Sequence, residues 1–316
     1  MMPLRLPRTP LTRSITLLSL SLPLGVAYFS TMTTSKAPQS PNAPSTNSAP
    51  AFPTRPYKPR HDTFPYTARD FLRQDESDDT DFYSTPRFVT HIDDNAIALL
   101  KQYYAANLPR KGRVLDLCSS WISHFPPELE SSARVRRAMK SGGQSEGGEE
   151  GLEVVGLGMN KKELDANPIL SSSILQNLNI NPILPSHLAP LDATTCVVSI
   201  DYLIKPVDML SSLHQNTRVG GKVHLIVSNR CFPTKAIGRW LRISEEERLQ
   251  MVGNYLWFGG WRDIEIVEVC DGKGSASGLM GMFGGGVDPL WVVRGVKVEG
   301  GERTVEQKLG QGKGEF

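Results

Sequence analysis

A chain of 316 residues has room for one large α/β domain with extensions. Lys and Arg number 35 and Asp and Glu 33, a formal +2, but residues 1–61 hold seven of the bases and no acid, so subtracting those seven leaves −5 for the remainder. A mildly acidic body argues against a nucleic-acid-binding surface, and four scattered cysteines (Cys118, Cys196, Cys231, Cys270) with no C-x-x-C pair argue against a zinc site and read as reduced thiols.

The first thirty residues combine Arg5, Arg8 and Arg13 with an apolar run, Ile15–Phe29, and no acid. That composition predicts a mitochondrial targeting leader, with a cytoplasmic protein as the alternative if translation starts at Met32. The run is broken by Pro23 and Gly25 and falls short of the ~20 residues of a membrane span, so no stable span is expected. Residues 33–60 are rich in Pro, Ser, Thr and Ala and too poor in apolar side chains to fold alone. Residues 1–60 are therefore read as leader and disordered linker, 61–298 as the folded domain and 299–316 as a solvated tail.

Within the domain, Phe64–Val89 is aromatic and acidic, and Tyr83 and Phe88 either cover a ligand or pack. Asp93-Asp94 are helix N-caps ahead of a helix over Ala96–Leu108, whose Ile97, Leu100 and Tyr104 fall at helical spacing. Arg113–Cys118 (RVLDLC) is a short apolar run with one acid, the mark of a buried strand. A short helical piece follows Pro127, then a flexible insert within 131–151 that ends in the low-complexity SGGQSEGGEEG.

Leu152–Gly158 (LEVVGLG) is the second strand, and Asn160–Ala166 opens a helix that Asn167-Pro168 interrupts. Ile174–Leu178 is the third strand and Thr195–Asp201 the fourth, ending in an acid. Val207–Leu213 is helical, Gly220-Gly221 turns into a fifth strand over Lys222–Ser228, and Pro233–Trp240 and Ser244–Trp257 are helices, the latter with a Ser244/Glu247 capping box. Asp263–Cys270 and Leu290–Val298 close the sheet around a glycine-rich excursion over 271–288. The expected architecture is a Rossmann-like α/β fold: a mainly parallel seven-stranded sheet, helices on both faces, and the last strand antiparallel.

This order of elements, together with VLDLCSSWISHFP, VVGLGMNKKELDANP, VVSIDYLIKPVDML, GGKVHLIVSNRCFPTKAIGRW and DPLWVVRG, resembles the class I S-adenosylmethionine-dependent methyltransferases, and within them a type 11-like group of fungal and photosynthetic genomes. The resemblance spans about Asp81–Val298. It implies S-adenosylmethionine as cofactor and methyl transfer, with a small-molecule acceptor as partner. Asp116 stands where the class has an acid before Gly-x-Gly, but Cys118, Ser119, Ser120 and Trp121 replace the glycines. Gly158 stands where the class usually has the acid that holds the ribose.

The resemblance thus assigns Asp116 to the cofactor's ammonium or to a structural bond, and Ser119, Ser120 and Trp121 to the loop around its methionine end. Met159 falls to the adenine, Asn160 to the ribose, and Asn177 and Leu178 to the adenine edge. Ser199 would line the methyl-donor end, with Asp201 as catalytic base, cofactor ligand or helix cap, and Tyr202 beside the sulfonium. His124 is either a base or a packing residue. Arg230 and Lys235 would either receive an anionic substrate or bond to the loop after Asp116. The leading expectation is an active methyltransferase without metal. Loss of the glycines and of the ribose acid keeps open a silent binding or assembly protein with the same fold.

Overall fold

The computed structural model describes residues 52–141, 151–272 and 287–300. The leader, the linker up to residue 51, the rest of the low-complexity insert, most of the glycine-rich excursion and the tail from residue 301 lie outside the described residues.

Eight strands form one sheet: β1 (Thr54–Pro56), β2 (Gly112–Leu117), β3 (Leu152–Gly158), β4 (Ser172–Leu175), β5 (Leu191–Val197), β6 (Thr217–Ser228), β7 (Arg262–Cys270) and β8 (Leu290–Val296). Their spatial order is β1-β7-β8-β6-β5-β2-β3-β4. Strands β2 to β6 are mutually parallel, and β8 runs antiparallel to both β6 and β7. Every residue of β3 is buried, as its unbroken apolar run requires of a strand covered on both faces.

The two-residue period of the strands divides the core. Leu115, Leu117, Val223, Leu225 and Val227 pack toward α5 (Pro206–Asn216) and α6 (Glu245–Phe258). Val114, Val154, Ile226 and Val292 pack on the opposite side toward α2 (Asp94–Asn107) and α3 (Pro127–Ser141). Asp93 caps α2 by accepting from the Ala96 N–H at 2.9 Å, and the Ser244/Glu247 box opens α6.

Several elements depart from the sequence reading. The fold begins ahead of residue 61, because Thr54–Pro56 pairs antiparallel with β7 and the buried Tyr57 hydroxyl donates to Asn254 on α6. All three side chains of β1 are exposed, so the strand is held by main-chain bonds and has no apolar pattern to read. Helix α3 continues to Ser141, taking in the first half of the supposed insert.

Strand β4 ends at Leu175, which leaves Asn177 and Leu178 in the loop beyond it. The fourth strand stops at Val197, and Asp201 lies in a single helical turn, Ile200–Tyr202. Gly220 and Gly221 fall inside β6, where Gly220 takes φ +79° beside a register shift.

Pro233–Trp240 forms turns rather than a helix. Its backbone is spent on distant partners: the Ile237 N–H on the Asp201 carbonyl at 2.9 Å and the Gly238 N–H on the Leu72 carbonyl at 2.7 Å.

Candidate functional site

In an open parallel sheet the ligand crevice lies beyond the carboxyl ends of the strands, where neighbouring connections leave in opposite directions. Here that point falls between β2 and β5. From β2 the chain proceeds outward through β3 and β4; from β5 it proceeds the other way through β6. Directly past these strand ends Cys118 has φ 56° and Val198 φ 40°, the latter a rare conformation for a β-branched residue. The two loops part there and open a cleft of about 280 Å³.

Asp116 sits at the floor of this cleft, 3% exposed. Its carboxylate accepts from the hydroxyls of Ser119 (2.6 Å), Ser123 (2.7 Å) and Thr195 (3.2 Å). Burial raises its pKa, and the three hydroxyl donors oppose that rise. Asp116 is thus first the anchor of its own loop, and its serines serve as its ligands. Ser120 donates instead to Glu163 at 2.6 Å, and the Trp121 indole N–H to the Val89 carbonyl at 3.1 Å.

Gly158 earns its place by contact with this loop. A Cβ there would lie 2.2 Å from the Ser119 carbonyl oxygen, so strand and loop touch only because the side chain is absent. Gly158→Ala is expected to cost about 1–3 kcal/mol in a denaturant melt, the usual range for overpacking; an unchanged midpoint would mean the loop moves freely.

Asn160 lines the cleft, but its side chain is engaged by the protein itself. Its carbonyl caps α4 (Lys161–Ala166) by accepting from the N–H groups of Lys162 and Glu163, and its amide donates to the Tyr83 and Ser84 carbonyls. The carboxylate that does reach the cleft at this end is Glu163, unmarked in the sequence reading. It accepts from the Arg87 N–H at 2.6 Å and from Ser120, leaving part of its acceptor capacity open. The sequence signal for Glu163 is slight: an acid at the third position of a capped helix reads as capping chemistry.

Met159, Asn177, Leu178, Ser199 and Tyr202 all line the cleft. The Ser199 hydroxyl donates to the Val197 carbonyl at 2.7 Å, and the Asn177 carbonyl oxygen accepts from the Asn179 N–H at 3.0 Å, while its amide meets no acceptor among the described residues. The Tyr202 hydroxyl accepts from the Phe232 N–H at 2.8 Å, and burial pushes its pKa far up, so the phenol stays neutral.

Asp201 does not line the cleft. It is 3% exposed, with one carboxylate oxygen unpartnered, and burial pushes its pKa up to about 8. It caps no helix and does not face the cleft. In the unfolded chain this carboxyl ionises near its ordinary value, whereas the folded chain keeps the proton to about pH 8. Folding therefore takes up a proton between those values, and this group's contribution to stability is lost as pH rises through that window. Asp201→Asn is expected to melt above the wild type at pH 8, with the gap closing toward pH 5; an equal gap at both would refute the burial account.

Two cleft residues stand out for unused capacity. His124 is 7% exposed at φ 55°, and its Nδ1 has no partner. Burial lowers its pKa to about 4, so the imidazole is neutral at neutral pH. Arg87, on the segment ahead of α2, faces the rings of Phe82 and Phe232. Arg230 pairs with Asp288 at 2.7 Å. Lys235 is fully buried against Asp75, Ser77 and Asp79, so it takes the structural alternative, though with the N-terminal segment rather than the loop after Asp116.

The decisive feature of the topology is the closing hairpin. β8 turns back and inserts antiparallel between β6 and β7, beyond five parallel strands that diverge from β2 and β5. The fold is a Rossmann-like α/β fold with an antiparallel closing strand.

No protein-family profile and no curated protein matches the chain. Among solved structures it is similar to the S-adenosylmethionine-dependent methyltransferase SibL in its apo form (14% identity, TM-score 0.38, covering 65% of this chain and 55% of that one). It is also similar to a TehB-like SAM-dependent methyltransferase from Corynebacterium glutamicum (12%, 0.37, 64% and 86%). A third is phosphoethanolamine N-methyltransferase 2 of Haemonchus contortus in complex with S-adenosyl-L-methionine (14%, 0.39, 74% and 60%). The chain spans about half the length of SibL.

Among the described residues no helix is long and apolar enough to cross a membrane, and no group of three or more His, Cys, Asp or Glu is placed to hold a metal ion.

Proposed function

We propose that this chain is an S-adenosylmethionine-dependent methyltransferase acting on a small molecule. The single observation that carries the reading is an open cleft at the switch point of a Rossmann-like sheet closed by an antiparallel strand, walled by apolar and aromatic side chains with a few unspent polar groups. Those groups suit an adenosyl ligand. Met159 and Leu178 offer an apolar slot for a purine and Asn177 an amide donor beside it, while the remaining acceptor capacity of Glu163 suits ribose hydroxyls. When bound, the cofactor would supply an electrophilic methyl group on a sulfonium.

The chain's own part is alignment. The rings of Tyr202 and Phe232, centroids 6.1 Å apart, give a positive centre aromatic faces at the end of β5. Direct displacement at carbon needs its three centres in line, which a rigid floor held by Asp116 favours. The neutral His124 can accept a proton from a nucleophile that carries one.

Calorimetry with S-adenosylmethionine and S-adenosylhomocysteine, with NADH as control, tests the reading: micromolar binding of the sulfur ligands alone is expected, and no binding of either would discard it. One observation favours a second reading, a silent binding protein of the same fold: the acid expected as catalytic base, Asp201, is buried away from the cleft. Binding without any methylated product across a metabolite extract would favour that reading.

A further inference from the structure

The mouth of the cleft carries an arginine whose charge no carboxylate answers. Arg87 lines the cleft, and its guanidinium carbon lies 4.4 Å from the ring centroid of Phe82, 5.5 Å from Phe232 and 6.0 Å from Tyr83. Aromatic faces stabilise a guanidinium from above and below but leave its N–H edge unsatisfied.

The neighbouring cations are all spoken for: Arg73 by Asp79 at 2.7 Å, Arg230 by Asp288 at 2.7 Å, Lys235 by Asp75 at 3.1 Å and Arg239 by Asp70 at 3.1 Å. Arg87 has no such ion pair among the described residues. Glu163, an acid of the same cleft, bonds to the Arg87 backbone N–H and to Ser120 rather than to the guanidinium. A half-buried, planar donor edge held rigid by rings and facing a ligand cleft is built for a planar two-oxygen acceptor.

The same rings mark the side of the cleft that this edge serves. Phe232 also meets His91 edge-on at 5.3 Å and Tyr202 at 6.1 Å. Arg87, His91 and Tyr202 thus surround one ring on the loop after β6. The slot of Met159, Asn177 and Leu178 belongs to the ends of β3 and β4, on the far side of β5 and β2.

We propose that Arg87, set in the Phe82/Tyr83/Phe232 aromatic wall, docks a carboxylate of the methyl acceptor, so that the substrate is a small organic acid. This rests on the methyltransferase reading for the word acceptor, but not for the anion site itself. A carboxylate could also come from the amino-acid end of the cofactor, and the test separates the two.

Wild type, Arg87→Gln and Arg87→Lys are titrated calorimetrically, with and without S-adenosylhomocysteine. The probes are benzoate and succinate, their uncharged amides, S-adenosylhomocysteine and its decarboxylated analogue. Melting curves establish that each variant is folded; the Arg87 backbone bond to Glu163 does not depend on the side chain.

The expected result is that the acids bind in preference to their amides, that Arg87→Gln weakens the acids by about tenfold or more, and that Arg87→Lys recovers part of the loss. S-Adenosylhomocysteine should bind all three forms equally. Acids and amides binding alike to the wild type, or acids unaffected by Arg87→Gln, would overturn the proposal. So would a loss confined to S-adenosylhomocysteine and absent from its decarboxylated analogue, which would assign Arg87 to the cofactor. If S-adenosylhomocysteine fails to bind while acid binding still depends on Arg87, the enzyme reading falls and the anion site stands.

Discussion

Replacing Lys235 by alanine is expected to destabilise the fold by about 3 kcal/mol, from the cavity left by a fully buried side chain and the loss of its charge-assisted hydrogen bonds. Lys235 is fully buried in the turns after β6, and its ammonium reaches the Ser77 carbonyl at 2.8 Å, the Asp75 carboxylate at 3.1 Å and the Asp79 carboxylate at 3.4 Å. Asp79, 4% exposed, also takes both oxygens' worth of Arg73 and the Asn179 amide at 2.8 Å. One carboxylate therefore joins three segments far apart in the chain: the N-terminal strap, the loop after β4 and the loop after β6.

Because Asp79 also lines the cleft, the strap that carries Tyr83 and Arg87 depends on this junction. Guanidinium or urea melts of Lys235→Ala, Asp79→Asn and the double variant would read the coupling. Single losses under about 1 kcal/mol, or losses that simply add, would show that the strap is held by its aromatic packing instead.

Asp116→Ala is expected to lose about 3 kcal/mol of stability, since three buried hydroxyls lose a charged acceptor while the cost of burying that charge is recovered only in part. Asp116→Asn should lose less, because rotated hydroxyls can still use its carbonyl oxygen. Both variants should also weaken S-adenosylhomocysteine binding, through loosening of the Ser119–Ser123 loop. The check is a melt and a titration on the same samples. A large affinity loss with unchanged stability would mean that Asp116 meets the ligand directly and that its serine bonds are incidental.

The elements legible in the sequence were those whose stabilisation is local or follows a simple period. Arg113–Leu117, Leu152–Gly158 and Leu290–Val296 are apolar because both faces of the sheet are covered, and the caps at Asp93 and Ser244 bond to N–H groups three residues away. Such features are written in a few adjacent residues. The acid at the end of β2, the small residues after it and the glycine at the end of β3 likewise pointed to the sheet edge where the cleft is found.

What the tertiary structure alone decided depends on partners distant in the chain. Thr54–Pro56 is a strand only because β7, far on in the chain, offers an edge, and its exposed side chains leave no trace of it. Pro233–Trp240 has a helical composition but spends its N–H groups on Leu72, Asp70 and Asp201. The same holds for chemistry. Asp201 and Asn160 have the right type, yet one is buried off the cleft and the other, on the cleft wall, has its side chain engaged as a helix cap and with the Tyr83 and Ser84 carbonyls. Glu163 and Arg87 look like ordinary surface charges until the fold turns them toward the opening. Residue type bounds what a side chain can do; which atoms remain unspent is settled only when every donor and acceptor around it has found its partner.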